Sequence, residues 1–205
     1  MVVDEVRANS PAARAARHEE RLLAANEALG RERYPEARRL AQQVVRELPE
    51  LALAHEIIGL SSYRLGEWRK AAAALEVAKA LEGGVRHNAV LADCYRAMRR
   101  YDDVDMLWRE VREASPHPEL MAEARIVAAG ALADQGKLGE AIALMQRVGD
   151  NPKKVREYHL RQWYVLGDLY DRAGDPIKAR KWFRQVASID REFVDVTERL
   201  RALGR

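Results

Sequence analysis

The sequence predicts an all-α protein made of stacked helix hairpins, and three observations predict it. Small residues recur with a nearly fixed period: Ala37, Ala71, Val104, Ala141 and Ala179 lie 34, 33, 37 and 38 residues apart. A second series keeps phase with the first: four residues after each member stand Ala41, Leu75, Trp108, Met145 and Phe183, and three further on Val44, Ala78, Val111, Val148 and Val186. Twelve residues before each member sits another small residue, Ala25, Gly59, Ala92, Ala129 or Gly167. A period near 34, with small residues where two helices must touch, describes an array of helix–turn–helix units, each burying its apolar face on the next.

The punctuation gives the elements in order. Ser10-Pro11 is a helix start, a hydroxyl cap followed by proline in the first turn. The first helix is expected from Pro11 to about Glu32, with a break at Tyr34-Pro35 and a second helix from Glu36 to Leu48, where Pro49 stops the hydrogen-bond ladder. The second pair is expected over Leu51–Leu65 and Glu67–Leu81, with Gly66 turning and Gly83-Gly84 closing the unit. Val85–Met98 and Tyr101–Ala114 form the third pair, ended by Ser115-Pro116. Pro118–Gln135 and Lys137–Val148 form the fourth, turning at Gly136 and ending over Gly149–Pro152. Val155–Ala173 and Pro176–Ile189 form the fifth, turning at Gly174-Asp175. Extra residues ahead of units four and five point to longer first helices there. A last helix, Arg191–Leu203, carries Phe193, Val196, Leu200 and Leu203 on one face and charges on the other, and is expected to cap the raw apolar end of the stack.

The composition agrees with close helix packing: 48% of residues are hydrophobic but only 6% aromatic. Thirty-five Lys and Arg against 32 Asp and Glu leave a net charge of +3, too little for a strong field. No basic run exceeds pieces such as Arg99-Arg100 and Lys153-Lys154, so an evenly solvated surface is expected. Cys94 is the lone cysteine and excludes an intrachain disulfide. The first residues, with Asp4 and Glu5, lack the apolar stretch of a secretory signal, and the longest apolar run, Ile126–Ala133, is far short of the ~20 residues that span a bilayer. A soluble cytoplasmic protein without membrane contact is the expectation.

Catalytic motifs are missing. Gly83-Gly84 is not followed by the Gly-Lys-Ser/Thr of a phosphate loop, and His18, His55, His87, His117 and His159 show no metal-ligand spacing. Cys94 has Asp93 beside it, but His87 lies two turns away, so a small buried filler is expected rather than a nucleophile. His55 is expected to be a satisfied interior imidazole. The expectation is no enzyme, no cofactor and no metal.

Trp163, Leu166-Gly167, Tyr170, Gly174, Ala179, Phe183 and Val186 fall at the spacing of the tetratricopeptide repeat, and the chain resembles that family. Leu91-Ala92, Tyr95, Tyr101, Trp108 and Pro116 repeat the pattern, as do Ile58-Gly59, Gly66, Trp68, Ala71, Leu75 and Ala78. The first and fourth units are more degenerate, with Ala28 and Leu132 at the family's Tyr and Arg21 and Arg125 at its Trp. The resemblance implies a right-handed α–α superhelix of about eleven helices: a tail over 1–10, then one solenoid over 11–204. Its repeats fall at about 18–51, 52–84, 85–118, 122–155 and 160–190, with the capping helix at 191–203.

In such arrays the first helix of each pair lines a concave wall, and helical geometry then selects the residues that face inward. The partner-binding candidates are Asn26, Glu56, Leu60, Tyr63, Arg64, Asp93, Arg96, Glu123, Asp134, Arg161, Tyr164, Asp168 and Arg172, with Leu22, Leu29, Leu53, Arg86, Ala89 and Asp171 among their neighbours. Arg offers a planar fork of donors and Tyr a rigid amphipathic surface, a mixture that suits an extended peptide or partner helix bearing both charge signs. The same charges could instead pair with one another and keep the wall soluble. The family's carboxylate clamp is not expected: Asn26 matches one of its positions, but Leu22, Leu60, Ala89 and Asp93 occupy others. A non-catalytic scaffold for a protein or peptide is the first expectation. Nucleic acid is disfavoured because Asp93, Glu123, Asp134, Asp168 and Asp171 would repel a phosphate backbone, and self-association through an open array end is a third possibility.

Overall fold

The computed structural model describes residues 12–146 and 152–204, with side chains from Ala16 onward. The expected Ser10-Pro11 helix start, the tail over 1–10, Val148 and the Gly149–Asn151 part of the fourth unit's end lie outside the described residues. Among the described residues the chain is all-α, with no strand. The helices are α1 Ala12–Gly30, α2 Tyr34–Glu47, α3 Ala52–Arg64, α4 Trp68–Glu82, α5 Asn88–Ala97, α6 Tyr101–Ala114, α7 Pro118–Asp134, α8 Leu138–Met145, α9 Glu157–Arg172, α10 Pro176–Ala187 and α11 Val196–Leu203.

The hairpins share one turn. The amide of the pivot residue bonds three residues back and the next amide bonds five back: Gly66 to Tyr63 and Glu67 to Ser62, Gly136 to Ala133 and Lys137 to Leu132, Gly174 to Asp171 and Asp175 to Tyr170. Glu32 to Leu29 with Arg33 to Ala28, and Arg99 to Arg96 with Arg100 to Tyr95, repeat the pair, all at 2.8–3.0 Å. The pivot residue is left-handed in every case, with φ of 72°, 79° and 75° at Gly66, Gly136 and Gly174, and 60° and 59° at Glu32 and Arg99. Glycine adopts that conformation freely, whereas a side chain is strained there. Glu32 and Arg99 carry no glycine signal, so the expected first break at Tyr34-Pro35 is a correction: the turn falls at Arg31–Arg33. Tyr34-Pro35 instead open α2, where proline is tolerated because a first-turn amide has no partner in any case.

Other boundaries move as well. Val85–His87 form a turn after Gly83-Gly84, and α5 begins at Asn88. The last helix begins at Val196 instead of Arg191, because Asp190 accepts the Glu192 amide at 2.8 Å and Val194 takes φ of 53°. The first helices of units four and five are longer than those of units two and three, as expected: 17 residues in α7 and 16 in α9, against 13 in α3 and 10 in α5, while α1 has 19.

The chain divides into two compact units, Met1–Asp103 and Val104–Arg205. In the first, α1 packs on α2, α2 on α3, α3 on α4 and α4 on α5, while the first helices of neighbouring hairpins also meet, α1 with α3 and α3 with α5. Its core holds Leu22, Ala25, Ala28, Ala37, Ala41, Val44, Leu51, Ala54 and Ile57. Leu22, expected on the inner wall, is in this core and 1% exposed. The second unit repeats the scheme with α7 on α8, α9 on both, α10 on α9 and α11 on α10. Its core joins Ala129, Ala141, Met145, Trp163, Leu166, Ala179, Phe183, Val186 and Val196, with Phe193, Leu200 and Leu203 packed against it.

At two of the recurring small positions a side chain of the facing helix occupies the space a Cβ would take. A Cβ on Gly59 would lie 2.6 Å from Leu75 Cγ, and one on Gly167 would lie 2.7 Å from the Phe183 ring. Each glycine belongs to the first helix of its hairpin and each intruder to the second, which is why the small residue and its bulky partner recur at one spacing.

Candidate functional site: the walls of the first helices

In the first unit, the candidates lie on α1, α3 and α5, whose order along the chain sets them side by side. The Tyr63 hydroxyl on α3 donates to Asp93 Oδ2 on α5 at 2.6 Å, and its ring meets Trp68 edge-on with centroids 5.5 Å apart. Arg96 lies 3.6 Å from the same carboxylate. Nearer the start of these helices, Arg86 donates to Glu56 on α3 at 2.7 Å and to Glu82 at 2.7 Å. Glu56, Leu60, Tyr63, Asp93 and Arg96 are half-buried, so their packing fixes their positions, while Asn26 is exposed. Arg64 departs from this group. It donates from Nε to the Tyr34 hydroxyl at 2.9 Å, lies 3.3 Å from Glu32, and stacks over the Tyr34 ring at the α1–α2 turn.

The second unit carries an equivalent wall on α7, α9 and α11. Arg161 Nη2 reaches Glu123 Oε2 at 2.8 Å, an attraction that opposes the upward shift of the Glu123 pKa by burial. The Tyr164 hydroxyl donates to Asp195, and burial followed by that bond pushes its pKa up to about 12. Asp168 receives Arg199 at 2.7 Å and lies 3.9 Å from Arg172, which also donates to the Ala133 carbonyl at 3.2 Å. Arg199 reaches Asp171 at 3.1 Å as well. Asp134 is exposed at the end of α7.

Most of these links join residues one repeat apart. Tyr63 and Asp93 are separated by 30 residues, as are Glu56 and Arg86, while Tyr164 and Asp195, and Asp168 and Arg199, are separated by 31. Asp195 and Arg199 escape the sequence reading, which treats the last segment only as a cover for an apolar end. In the structure α11 stands in register as one more first helix, and its polar residues continue the ladder. The charges therefore pair along each wall, one of the two arrangements that the sequence leaves open. Pairing does not exhaust them, since a guanidinium has five N–H donors and Arg86 and Arg161 keep 55% and 48% of their side-chain surface exposed.

The remaining candidates sort by burial. Ala89 is 6% exposed and, with buried Leu22, is out of reach of a ligand, while Asp93 is held by Tyr63. His55 is half-buried rather than interior, with Nε2 2.8 Å from the Pro49 carbonyl. The deeply buried imidazoles are His18, 3.5 Å from Glu47, and His87, 3.2 Å from Glu82. Cys94 is buried, and burial with the neighbouring Asp93 pushes its thiol up to about 12, so it is no thiolate nucleophile at neutral pH. Among the described residues no group of three His, Cys, Asp or Glu side chains is placed to hold a metal, and no helix is long and apolar enough to cross a membrane.

Two stretches match family models described as tetratricopeptide repeat, residues 22–85 and 160–193. No curated protein sequence matches the chain. Among solved structures it is similar to a thermophilic tetratricopeptide-repeat protein of Thermus thermophilus, with TM-score 0.66 and 16% identity over 91% of this chain and 98% of that one. It is also similar to PilF of Pseudomonas aeruginosa, with TM-score 0.63 and 13% identity over 94% of this chain and 90% of that one. At these identities the likeness is one of fold.

Proposed function

We propose that this chain, which carries tetratricopeptide repeats over residues 22–85 and 160–193, works as a non-catalytic scaffold that holds a peptide or helical segment of a cytoplasmic partner along the walls of its first helices. Folds of this family serve protein–protein interaction. The observation that carries the reading is the ladder of half-buried Tyr63, Asp93, Arg96 and Glu56 with exposed Arg86 in the first unit, and of half-buried Tyr164, Asp168 and Glu123 with exposed Arg161 in the second. Side chains already fixed by neighbours lose little further entropy when a ligand docks, and the exposed arginine edges suit backbone carbonyls and carboxylates. Arg64, tied to the α1–α2 turn, takes no part in the first wall; Asn26, Leu60, Asp134 and Arg172 complete the proposed contact set.

Nucleic acid remains disfavoured, because every arginine of these ladders already has an Asp or Glu beside it that would repel a phosphate chain. A displayed library of random peptides, selected on the whole protein, supplies ligands for the test. Tyr63→Ala with Arg96→Ala, or Arg161→Ala with Tyr164→Ala, should weaken a selected peptide about tenfold or more, as loss of aromatic and arginine anchors does. Peptides that bind both double variants as well as the parent protein would remove the walls from the account.

A further inference from the structure

The charge of the chain is balanced overall, but the structure gathers an excess of cations at one place outside the walls. From Asp175 to Glu192 the sequence holds Lys178, Arg180, Lys181, Arg184 and Arg191 against Asp175, Asp190 and Glu192, and of these cations Lys178 is paired with Asp175 at 2.9 Å. An evenly solvated surface is the expectation from sequence. Helical spacing instead sets Ile177, Lys181, Arg184 and Ser188 in one stripe along the outer side of α10.

This stripe runs into an open cleft of about 510 Å³ between α10 and α11, lined by Arg184, Ala187, Ser188, Arg191, Leu200 and Arg201, with Thr197 at its edge. Asp195, at the cap of α11, and Arg199 within it turn to α9, so Thr197 and Arg201, two residues on in each case, lie on the opposite side. The cleft is thus separate from the second wall.

Its cations differ from those of the walls in their pairing. Arg161, Arg172 and Arg199 each have a carboxylate within 4 Å, whereas Arg184 and Arg191 have no ionic partner among the described residues. Arg201 is held only loosely by Glu198, at 3.7 Å and with both side chains largely exposed. Ala187 and Leu200 give the cleft an apolar floor, and Ile177, 81% exposed, extends the apolar surface along the stripe.

We propose that this cleft and the adjoining face of α10 form a second docking surface, for an acidic peptide segment of a partner whose carboxylates meet Arg184, Arg191 and Arg201 and whose apolar side chain rests on Ala187 and Leu200. Charge complementarity selects the sign of the partner. Its class follows from what lines the cleft. Single-stranded nucleic acid is held by exposed aromatic rings that stack bases, and here Trp182 and Phe183 are turned into the core, 8% and 0% exposed. Asp190, Glu192 and Glu198, each next in sequence to a lining residue, would also repel a continuous phosphate chain, while a peptide can place neutral residues opposite them.

The test uses the whole protein and three fluorescent probes at low ionic strength: a short peptide of Glu, Asp and Leu, its Gln, Asn and Leu counterpart, and a single-stranded oligonucleotide of equal charge. The acidic peptide should bind best, with affinity falling as salt rises. Arg184→Glu with Arg191→Glu should weaken it about tenfold or more, since both attractions become repulsions. Arg161→Ala, on the wall, should leave it unchanged; that arm separates this surface from the proposed wall function. Both arginines are exposed, and circular dichroism of the double variant verifies that its helices persist. Equal binding of the neutral peptide, tighter binding of the oligonucleotide, or indifference to the charge reversal would each overturn the proposal.

Discussion

Arg99 shows how a single backbone angle weighs on stability. It occupies the left-handed pivot of the third hairpin turn, the place that glycine holds in three of the other four. A left-handed non-glycine residue costs about 1–2 kcal/mol, and part of the relief is lost to the greater freedom of glycine in the unfolded chain. Arg99→Gly should therefore stabilise the protein by about 0.5–1 kcal/mol in denaturant titration, an unusual sign for a glycine substitution. Gly167→Ala should act the other way. The new methyl would press on the Phe183 ring, itself fully buried, and overpacking costs about 1–3 kcal/mol against a helix-propensity gain of about 1 kcal/mol. A net loss of about 1–2 kcal/mol is expected. Glu67 supplies a pH dependence. The bond from Arg38 at 2.7 Å, then Lys70 at 2.6 Å, lowers its pKa from 4.5 to about 2. A depressed folded-state pKa contributes stability that is fully present above the unfolded value and is lost as pH falls through the folded one. Denaturation midpoints should decline between pH 4.5 and 2, and Glu67→Gln should flatten that part of the curve.

At the scale of the element, α11 is the instructive case. Its apolar residues Val196, Leu200 and Leu203 are legible from their spacing, and they do pack on the second core. Its start is not legible, because the turn over Asp190–Asp195 depends on a side-chain bond and a left-handed valine that no periodicity announces. Nor is its polar role, since Asp195 and Arg199 look like ordinary surface charges until α9 lies beside them. Arg199 bridges Asp168 and Asp171 and sits over the Phe183 ring. Arg199→Ala leaves two carboxylates without their shared cation, and amides of α11 should exchange with deuterium faster by about tenfold or more, consistent with ~1.5–3 kcal/mol for bonds between charged groups. Exchange in α1–α4 is the internal reference.

Over the whole molecule, repetition decides how damage spreads. Within each unit neighbouring hairpins pack in chain order, so stability is a sum of local terms and near-neighbour contacts. Gly167→Ala should lower hydrogen-exchange protection in α9–α11 while leaving α1–α3 near parental values, whereas Gly59→Ala should do the reverse. Uniform loss across all helices in either variant would show one cooperative unit in place of this local behaviour. The sequence by itself determined the all-α hairpin array and most of its boundaries, because period, small residues and turn glycines are local signals that need no partner to be read. It also named Tyr63, Asp93, Arg96, Tyr164 and Asp168 as candidates, each on the first helix of its hairpin. Only the tertiary structure decided that these side chains bind one another across a repeat, that Leu22 belongs to the core, and that Arg184 of α10 and Arg191 just after it have no carboxylate partner among the described residues. Charge pairing is a property of distances in space, and residues thirty positions apart reveal it only when the helices that carry them lie side by side.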